Sequence, residues 1–159
     1  MQTFLSEHTF QGAARALDQK RLVKQLLEGR QIMAALAGET KGWVNHPATK
    51  MWRGSEYYLL FYLYAIAEEM RERGYKWENN WNEIQRIYDY HFRDVLVNFP
   101  LWMKNDKERD RVVNTHRRSL YLKDPIYYAR YEPYAESAAA DVCCDRCNYY
   151  WPTHIKESV

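Results

Sequence analysis

Apolar residues recur at helical spacing along most of the chain. Leu22, Leu26, Gly29 and Met33 fall on one stripe, with Leu36 at its edge. That three-to-four spacing marks the buried face of a helix. It predicts a first helix from about Phe10 or Ala13 to Ala37, with Gly38 as its C′ stop. Gly29 inside this helix costs about 1 kcal/mol relative to Ala and suits a close helix contact. A second helix is predicted over Glu56 to Arg73, with Tyr57, Leu60, Phe61 and Tyr64 along its buried side and Gly74 at its end. A third begins near Asn80, which pairs with Glu83 in a capping-box pattern. It carries Ile84, Ile87, Tyr88 and Val95 on its apolar face as far as Pro100. A fourth spans Asp106 to Leu122 and stops before Lys-Asp-Pro, because Pro125 disfavours helix at Asp124.

No segment alternates apolar and polar residues with period two for long enough to predict a strand. The segment "GETKGWVNHPATKMWRGSE" reads as a connecting loop with room for one short helix. From about Tyr134 the helical period is lost. The expectation is therefore an all-α fold. Residues 1–133 form a single compact domain of about four helices, and residues 134–159 an irregular C-terminal extension.

Composition narrows the classes. The chain has 159 residues, 47% of them hydrophobic, which suits one domain with a real core. No apolar run approaches the roughly 18 residues that span a bilayer. The opening "MQTFLSEHTF" lacks the pattern of a secretion signal. No membrane partner is expected, and a cytoplasmic, monomeric protein is. Net charge is only +2, so local clustering matters more than the total. Fourteen Tyr and six Trp are many, and rings mixed with Arg and Lys suit nucleic-acid surfaces as well as a small helical core. Cys143, Cys144 and Cys147 cluster, followed by His154. One C-x-x-C pair and a single His fall short of the four ligands of a zinc site, so free or redox-active thiols are favoured and no metal or cofactor is assigned.

Three clusters could carry chemistry. On the first helix Arg21, Lys24 and Glu28 lie within about 60° of one another, away from the apolar stripe. The plain alternative is a Lys24–Glu28 pair at i, i+4, worth a few tenths of a kcal/mol. In the connecting loop, Asn45 and His46 precede Pro47, and Arg53 precedes Gly54. His46 suits acid–base work or a phosphate contact. Residues 116–131 interleave His116, Arg117, Arg118, Lys123 and Arg130 with Tyr121, Tyr127, Tyr128 and Tyr131. Cations there would meet phosphates, while rings stack or wedge at an opened base step; otherwise this is a solvated basic helix end.

Three stretches together resemble a known family. "LDQKRLVKQLLEGRQ" resembles the first helix of the phage endonuclease V-like pyrimidine-dimer DNA glycosylases. "NHP" followed by "FYLYAIAEEMRERGY" resembles their second helix, and "DPIYYARYEP" their C-terminal aromatic-basic segment. The likeness runs to about Pro133. It implies a helical repair enzyme that cuts the glycosidic bond of a damaged pyrimidine and then breaks the strand by β-elimination. With a one-residue insertion near Lys20, Glu28 falls on the family's catalytic carboxylate. The family's nucleophile is the α-amine of a Thr exposed by removal of Met. An α-amine titrates near 8, against about 10.4 for Lys, so more of it is neutral at pH 7.

The chain departs from the pattern at that amine. Residue 2 is Gln2, too large for usual Met removal, so Met1 is expected to stay and to supply the amine. Thr3 and Leu27 stand where the family has Arg. The resemblance thus implies a DNA glycosylase on duplex DNA with a damaged or modified pyrimidine, with or without lyase activity. Glu28, Met1, Gln2 and His46 would form its catalytic group. Arg21, Lys24, Asn45, Arg53, His116, Arg117, Lys123, Tyr127 and Tyr128 would hold the DNA. The alternative is a non-catalytic nucleic-acid-binding module that uses residues 116–131.

Overall fold

The computed structural model describes residues 1–142 and 148–153. The cysteine cluster and His154 lie outside the described residues. Among those described there are eight α-helices and no strand, so the all-α expectation holds, while the count of about four does not. The four expected helices are the four long ones; the others are short pieces in the connections. They are α1 (Phe10–Ala16), α2 (Gln19–Leu36), α3 (Pro47–Lys50), α4 (Glu56–Glu72), α5 (Glu78–His91), α6 (Leu101–Lys104), α7 (Asp106–Lys123) and α8 (Tyr134–Ser137). No described helix is long and apolar enough to cross a membrane.

The expected first helix is two helices. Asp18 breaks it: its backbone is extended and its carboxylate accepts the Arg21 N–H at 2.9 Å, capping α2. An Asp here offers the orphan amides of the first turn a better acceptor than a continuous helix would. The α2 stripe is as expected, with Leu22, Leu26, Gly29 and Met33 all buried. Gly29 makes a close contact, since a Cβ built there would lie 2.0 Å from Leu63 Cδ2 on α4. Gly38 takes φ +75° just beyond the α2 C-cap, the left-handed stop that Gly favours.

Two faces differ from expectation. In α4 the buried residues are Leu59, Tyr62, Leu63, Ile66 and Met70, whereas Phe61 and Tyr64 are exposed. The helix is apolar nearly all round, so the pattern did not select one face. Helix α5 starts two residues earlier than expected, and Glu78, not Asn80, takes the N-terminal amide, accepting from Trp77 N–H at 3.1 Å. It ends at His91, and Val95 is exposed in the loop that follows.

Helix α2 packs between α4 and α5, α1 lies along α4, and α7 packs with α6 and α8. Through the middle runs the extended N-terminal segment, with Gln2 to Leu5 buried and Ser6 fully so. With no strand beside it, its backbone polar groups are met by side chains. Gln25 on α2 donates its amide to Gln2 C=O and accepts from Phe4 N–H at 3.0 Å. Tyr62 on α4 donates to Phe4 C=O at 2.8 Å. His116 Nδ1 on α7 accepts from Leu5 N–H at 2.8 Å, and Arg117 donates to Ser6 C=O at 2.7 Å. Burial holds the Tyr62 hydroxyl well above the ordinary phenol range, so it stays a donor. Three helices thus fix where the chain's first residues point.

Candidate active site

The N-terminal segment delivers its first two nitrogens to Glu28. The Met1 amine lies 3.6 Å from Oε1, and Gln2 N–H donates to Oε2 at 3.2 Å. Lys24 Nζ reaches Oε1 at 3.5 Å, so the i, i+4 pair expected from spacing exists as well. The Glu28 side chain keeps 12% of its surface exposed. It is neither a free surface charge nor sealed in the core.

These groups line an open cleft of about 520 Å³. Met1, Gln2, Arg21, Lys24, Glu28, His46 and Lys123 all face it. Seven of the residues singled out in the sequence are therefore together, drawn from the N-terminal segment, α2, the start of α3 and the end of α7. Each cation has its own setting. Arg21 is bound to the carboxylate of Asp18 and lies over the Tyr128 ring, so its charge is largely compensated. Lys24 and Lys123 are exposed.

His46 is placed by helix start chemistry. Pro47 opens α3, and His46 acts as its N-cap, Nδ1 accepting the Ala48 N–H at 3.1 Å. The proton of the neutral ring then sits on Nε2. Its ring meets Trp43 and Trp151 edge-on, at centroid distances of 5.5 and 5.8 Å. Burial first, and then the Met1 ammonium, lower its pKa against the opposing pull of Glu28. It is therefore neutral at pH 7.

Several expected DNA contacts are corrected. His116 and Tyr128 are fully buried and cannot touch a duplex. His116 holds Leu5, while the Tyr128 hydroxyl donates to the Asp18 carboxylate and accepts from Asp18 N–H, both at 2.9 Å. Arg117 keeps only 14% of its side chain exposed and bonds Ser6 C=O, Tyr134 Oη and Glu7. Arg118 donates to Ala135 C=O. Most of the basic-aromatic cluster is internal scaffolding, which removes much of the surface a binding module based on it would need. Tyr127 is half exposed beside the start of α2, its hydroxyl 3.4 Å from Leu17 C=O. Asn45 is exposed but does not line the cleft, and Arg53 lines a separate groove.

Five further cleft residues were not singled out: Phe4, Lys20, Gln25, Tyr149 and Trp151. Gln25 carried a signal, being a polar residue on the apolar stripe between Leu22 and Leu26. Tyr149 and Trp151 come from the irregular tail. Tyr149 packs edge-on to Phe4 and His116, which ties that tail to the N-terminal segment.

The chemistry of this arrangement is narrow. One carboxylate meets two primary amines, the Met1 α-amine and Lys24 Nζ, at the floor of a cleft with lysines on its rim. The rim suits a polyanion, and the floor suits attack at an electrophilic carbon with a carboxylate to move the proton.

No curated protein and no solved structure matches the chain. A family model described as pyrimidine dimer DNA glycosylase matches residues 1–83, a stretch that carries Met1, Gln2, Lys24, Glu28 and His46. Since this match covers 83 of the 159 residues and includes the amine–carboxylate pair, the chain belongs to the pyrimidine dimer DNA glycosylase family.

Proposed function

We propose that this glycosylase cleaves the N-glycosidic bond of a damaged or modified pyrimidine in duplex DNA, using the α-amine at the chain's start as nucleophile and Glu28 as proton-transfer group. The observation that carries this reading is the double contact of Glu28 with Met1 N and Gln2 N–H. The amine, once neutral, attacks C1′ of the flipped nucleotide. The N–C1′ bond forms as the glycosidic bond breaks, and the base leaves with the bonding pair and takes up a proton. Glu28 accepts a proton from the attacking nitrogen and returns it to the sugar ring oxygen as the ring opens to the imine. Loss of a C2′ proton then expels the 3′ phosphate by β-elimination, giving the lyase step.

The same contact answers the change at residue 2. Met1 N and Gln2 N both lie against the carboxylate, one on each oxygen. With Met1 retained the amine belongs to Met1; with Met1 removed it would belong to Gln2, 3.2 Å from Oε2. A shift of one residue thus leaves an amine beside Glu28. His46, neutral and with its proton on Nε2, suits donation of a hydrogen bond to the departing base, stabilising the charge that develops there. Lys24 and Lys123 suit the phosphates on either side of the flipped nucleotide.

The test uses duplexes carrying a pyrimidine dimer, uracil or a hypermodified pyrimidine, each with and without borohydride. Wild-type protein should release a base from one of them and form a reducible covalent adduct. Glu28→Gln should lower turnover by about 10²–10⁴-fold. Base release without any trapped adduct would replace the amine mechanism by water attack assisted by Glu28. Undiminished turnover by Glu28→Gln would remove the carboxylate from the reaction.

A further inference from the structure

A second groove lies next to the cleft. It encloses about 450 Å³, and its edges carry Lys50, Arg53 and Lys104 over a floor that includes Phe99 and Trp102. None of the described residues that line it is acidic. The nearby carboxylate of Glu56 is turned inward, accepting from Gly54 N–H at 2.8 Å, and Glu56 is buried. Arg53 donates one guanidinium nitrogen to Val44 C=O at 3.0 Å and keeps its remaining donors. Lys50 and Lys104 are exposed and make no ion pair among the described residues.

Two thin partitions separate the groove from the cleft. One is the single turn of α3, with His46 on the cleft side and Lys50 on the groove side. The other is the C-terminal strap, where Trp151 faces the cleft and Pro152 and Thr153 the groove. The strap is anchored to α7, with Tyr150 N–H on Thr115 Oγ1 at 3.1 Å and Arg111 over the Tyr150 ring at 3.9 Å. One helical turn rises about 5.4 Å, and a DNA strand about 3.4 Å per nucleotide. The groove is thus within reach of a strand that has one nucleotide in the cleft.

We propose that this groove holds the sugar–phosphate backbone of the duplex beside the flipped nucleotide, with Lys50, Arg53 and Lys104 on the phosphates and the apolar floor under the sugars. The inference rests on the glycosylase reading and extends it, since it gives the footprint a second basic wall that joins Lys50 and Arg53, inside the family match, to Lys104 beyond it. The cations come from three separate elements (α3, the loop after it, and α6), as suits an extended chain of phosphates. Among the described residues that line the groove no carboxylate offsets them.

The experiment is binding of the full chain to an undamaged duplex of about 30 base pairs, followed by fluorescence anisotropy over a range of salt. Lys50→Ala/Lys104→Ala should bind about tenfold more weakly at low salt, with the slope of log K against log salt reduced by about 2, near 0.9 per lost phosphate contact. Lys50→Arg/Lys104→Arg should keep the wild-type slope. Both side chains are exposed, and circular dichroism confirms that the variants fold. An unchanged slope in the Ala variant, while Lys24→Ala/Lys123→Ala lowers it, overturns this inference and leaves the glycosylase reading intact. Competition by pyrophosphate as effective as that by duplex of equal charge also overturns it, in favour of a small-anion site. If the wild-type protein binds no duplex at all, both readings fail together.

Discussion

His116 Nδ1 accepts the backbone N–H of Leu5 at 2.8 Å, a bond that links α7 to the N-terminal segment across 111 residues. The imidazole is fully buried, and burial pushes its pKa down to about 3. Its Nε2 is buried without a hydrogen-bond partner among the described residues. The ring must be neutral, because the nitrogen facing Leu5 has to accept. This pairing determines how the fold responds to acid, and with it the position of the amine four residues upstream.

An unfolded His takes up a proton near pH 6.5, but the folded ring does not until about pH 3. Below pH 6.5 the unfolded chain therefore binds more protons, and stability falls as pH drops. The loss from this residue is roughly 1.4 kcal/mol per pH unit, or about 2 kcal/mol between pH 6.5 and 5. Urea unfolding at a series of pH values should show that decline. His116→Asn keeps an acceptor for Leu5 N–H and removes the titration, so its decline over the same interval should be shallower. An equally steep fall in the Asn variant would shift the acid sensitivity to other groups.

Gln25 anchors the same segment from α2, its amide on Gln2 C=O and its carbonyl oxygen on Phe4 N–H. Gln25→Leu leaves both backbone groups buried without partners, at about 1–3 kcal/mol each. The melting temperature should fall by roughly 5–15 °C for a chain of this length. Activity should fall further than stability explains, because Met1 is no longer held against Glu28. Thermal melts and turnover below the melting range separate the two effects. Turnover that falls only in step with the folded fraction would deny Gln25 a positioning role.

Gly29 of α2 leaves no room for a Cβ against Leu63 of α4. Ala at 29 gains about 1 kcal/mol of helix propensity. Its Cβ, however, would overlap the Leu63 side chain, which is fully buried and has nowhere open to move. Overpacking of this kind costs about 1–3 kcal/mol, so Gly29→Ala should be neutral to about 2 kcal/mol destabilising, and Gly29→Val clearly worse. Leu63→Ala placed beside Gly29→Ala should recover part of the loss, and a double-mutant cycle measures that coupling.

How much of this was legible in the sequence follows from what each feature depends on. The α2 stripe and the Gly38 stop are local, set by spacing and a single residue, and they were read correctly. The break at Asp18 went unread although it was legible: at about 100° per residue Ala13 and Leu17 fall opposite the Leu22 to Met33 stripe, and Asp18 between the two segments is a ready N-cap. The face of α4 was misread because nearly every position in "EYYLLFYLYAIAEEM" is apolar, so only tertiary packing decides which side is buried. Glu28 was legible through its cationic neighbours and the family resemblance. The roles of Gln25, His116 and Arg117 were not, since their partners are backbone groups 21 to 111 residues away. A His-Arg pair beside tyrosines has the same composition whether it faces phosphates or holds an extended segment.

Trp43 is the one described non-glycine residue with positive φ, at 63°, and its ring is half exposed beside His46. Such a backbone costs on the order of 1–3 kcal/mol. Trp43→Gly should thus leave stability unchanged or raise it by about 1 kcal/mol. A base stacked on this ring would contribute about 1–3 kcal/mol. The Gly variant should therefore bind lesion-bearing duplex some 5- to 100-fold more weakly while melting no lower. Unchanged affinity would confine the strain to loop geometry.

The last prediction separates the amine from the carboxylate. The Met1 nitrogen faces an open cleft, while Gln2 to Ser6 are clamped by Gln25, Tyr62, His116 and Arg117. A Gly-Ser dipeptide added ahead of Met1 therefore has solvent to enter and need not disturb the clamps. The melting temperature should stay within about 2 °C of the native chain. The added residues convert the Met1 nitrogen to an amide, which has no lone pair free for attack, and carry the new amine away from Glu28. Borohydride trapping on a lesion-bearing duplex should then fall by at least about 100-fold. Glu28 keeps the Gln2 N–H contact and its place in the cleft. Any base release that survives in the extended protein measures water attack assisted by the carboxylate alone. Full trapping by the extended protein would assign the nucleophile to a lysine of the cleft, with Lys24, 3.5 Å from Glu28, the first to replace.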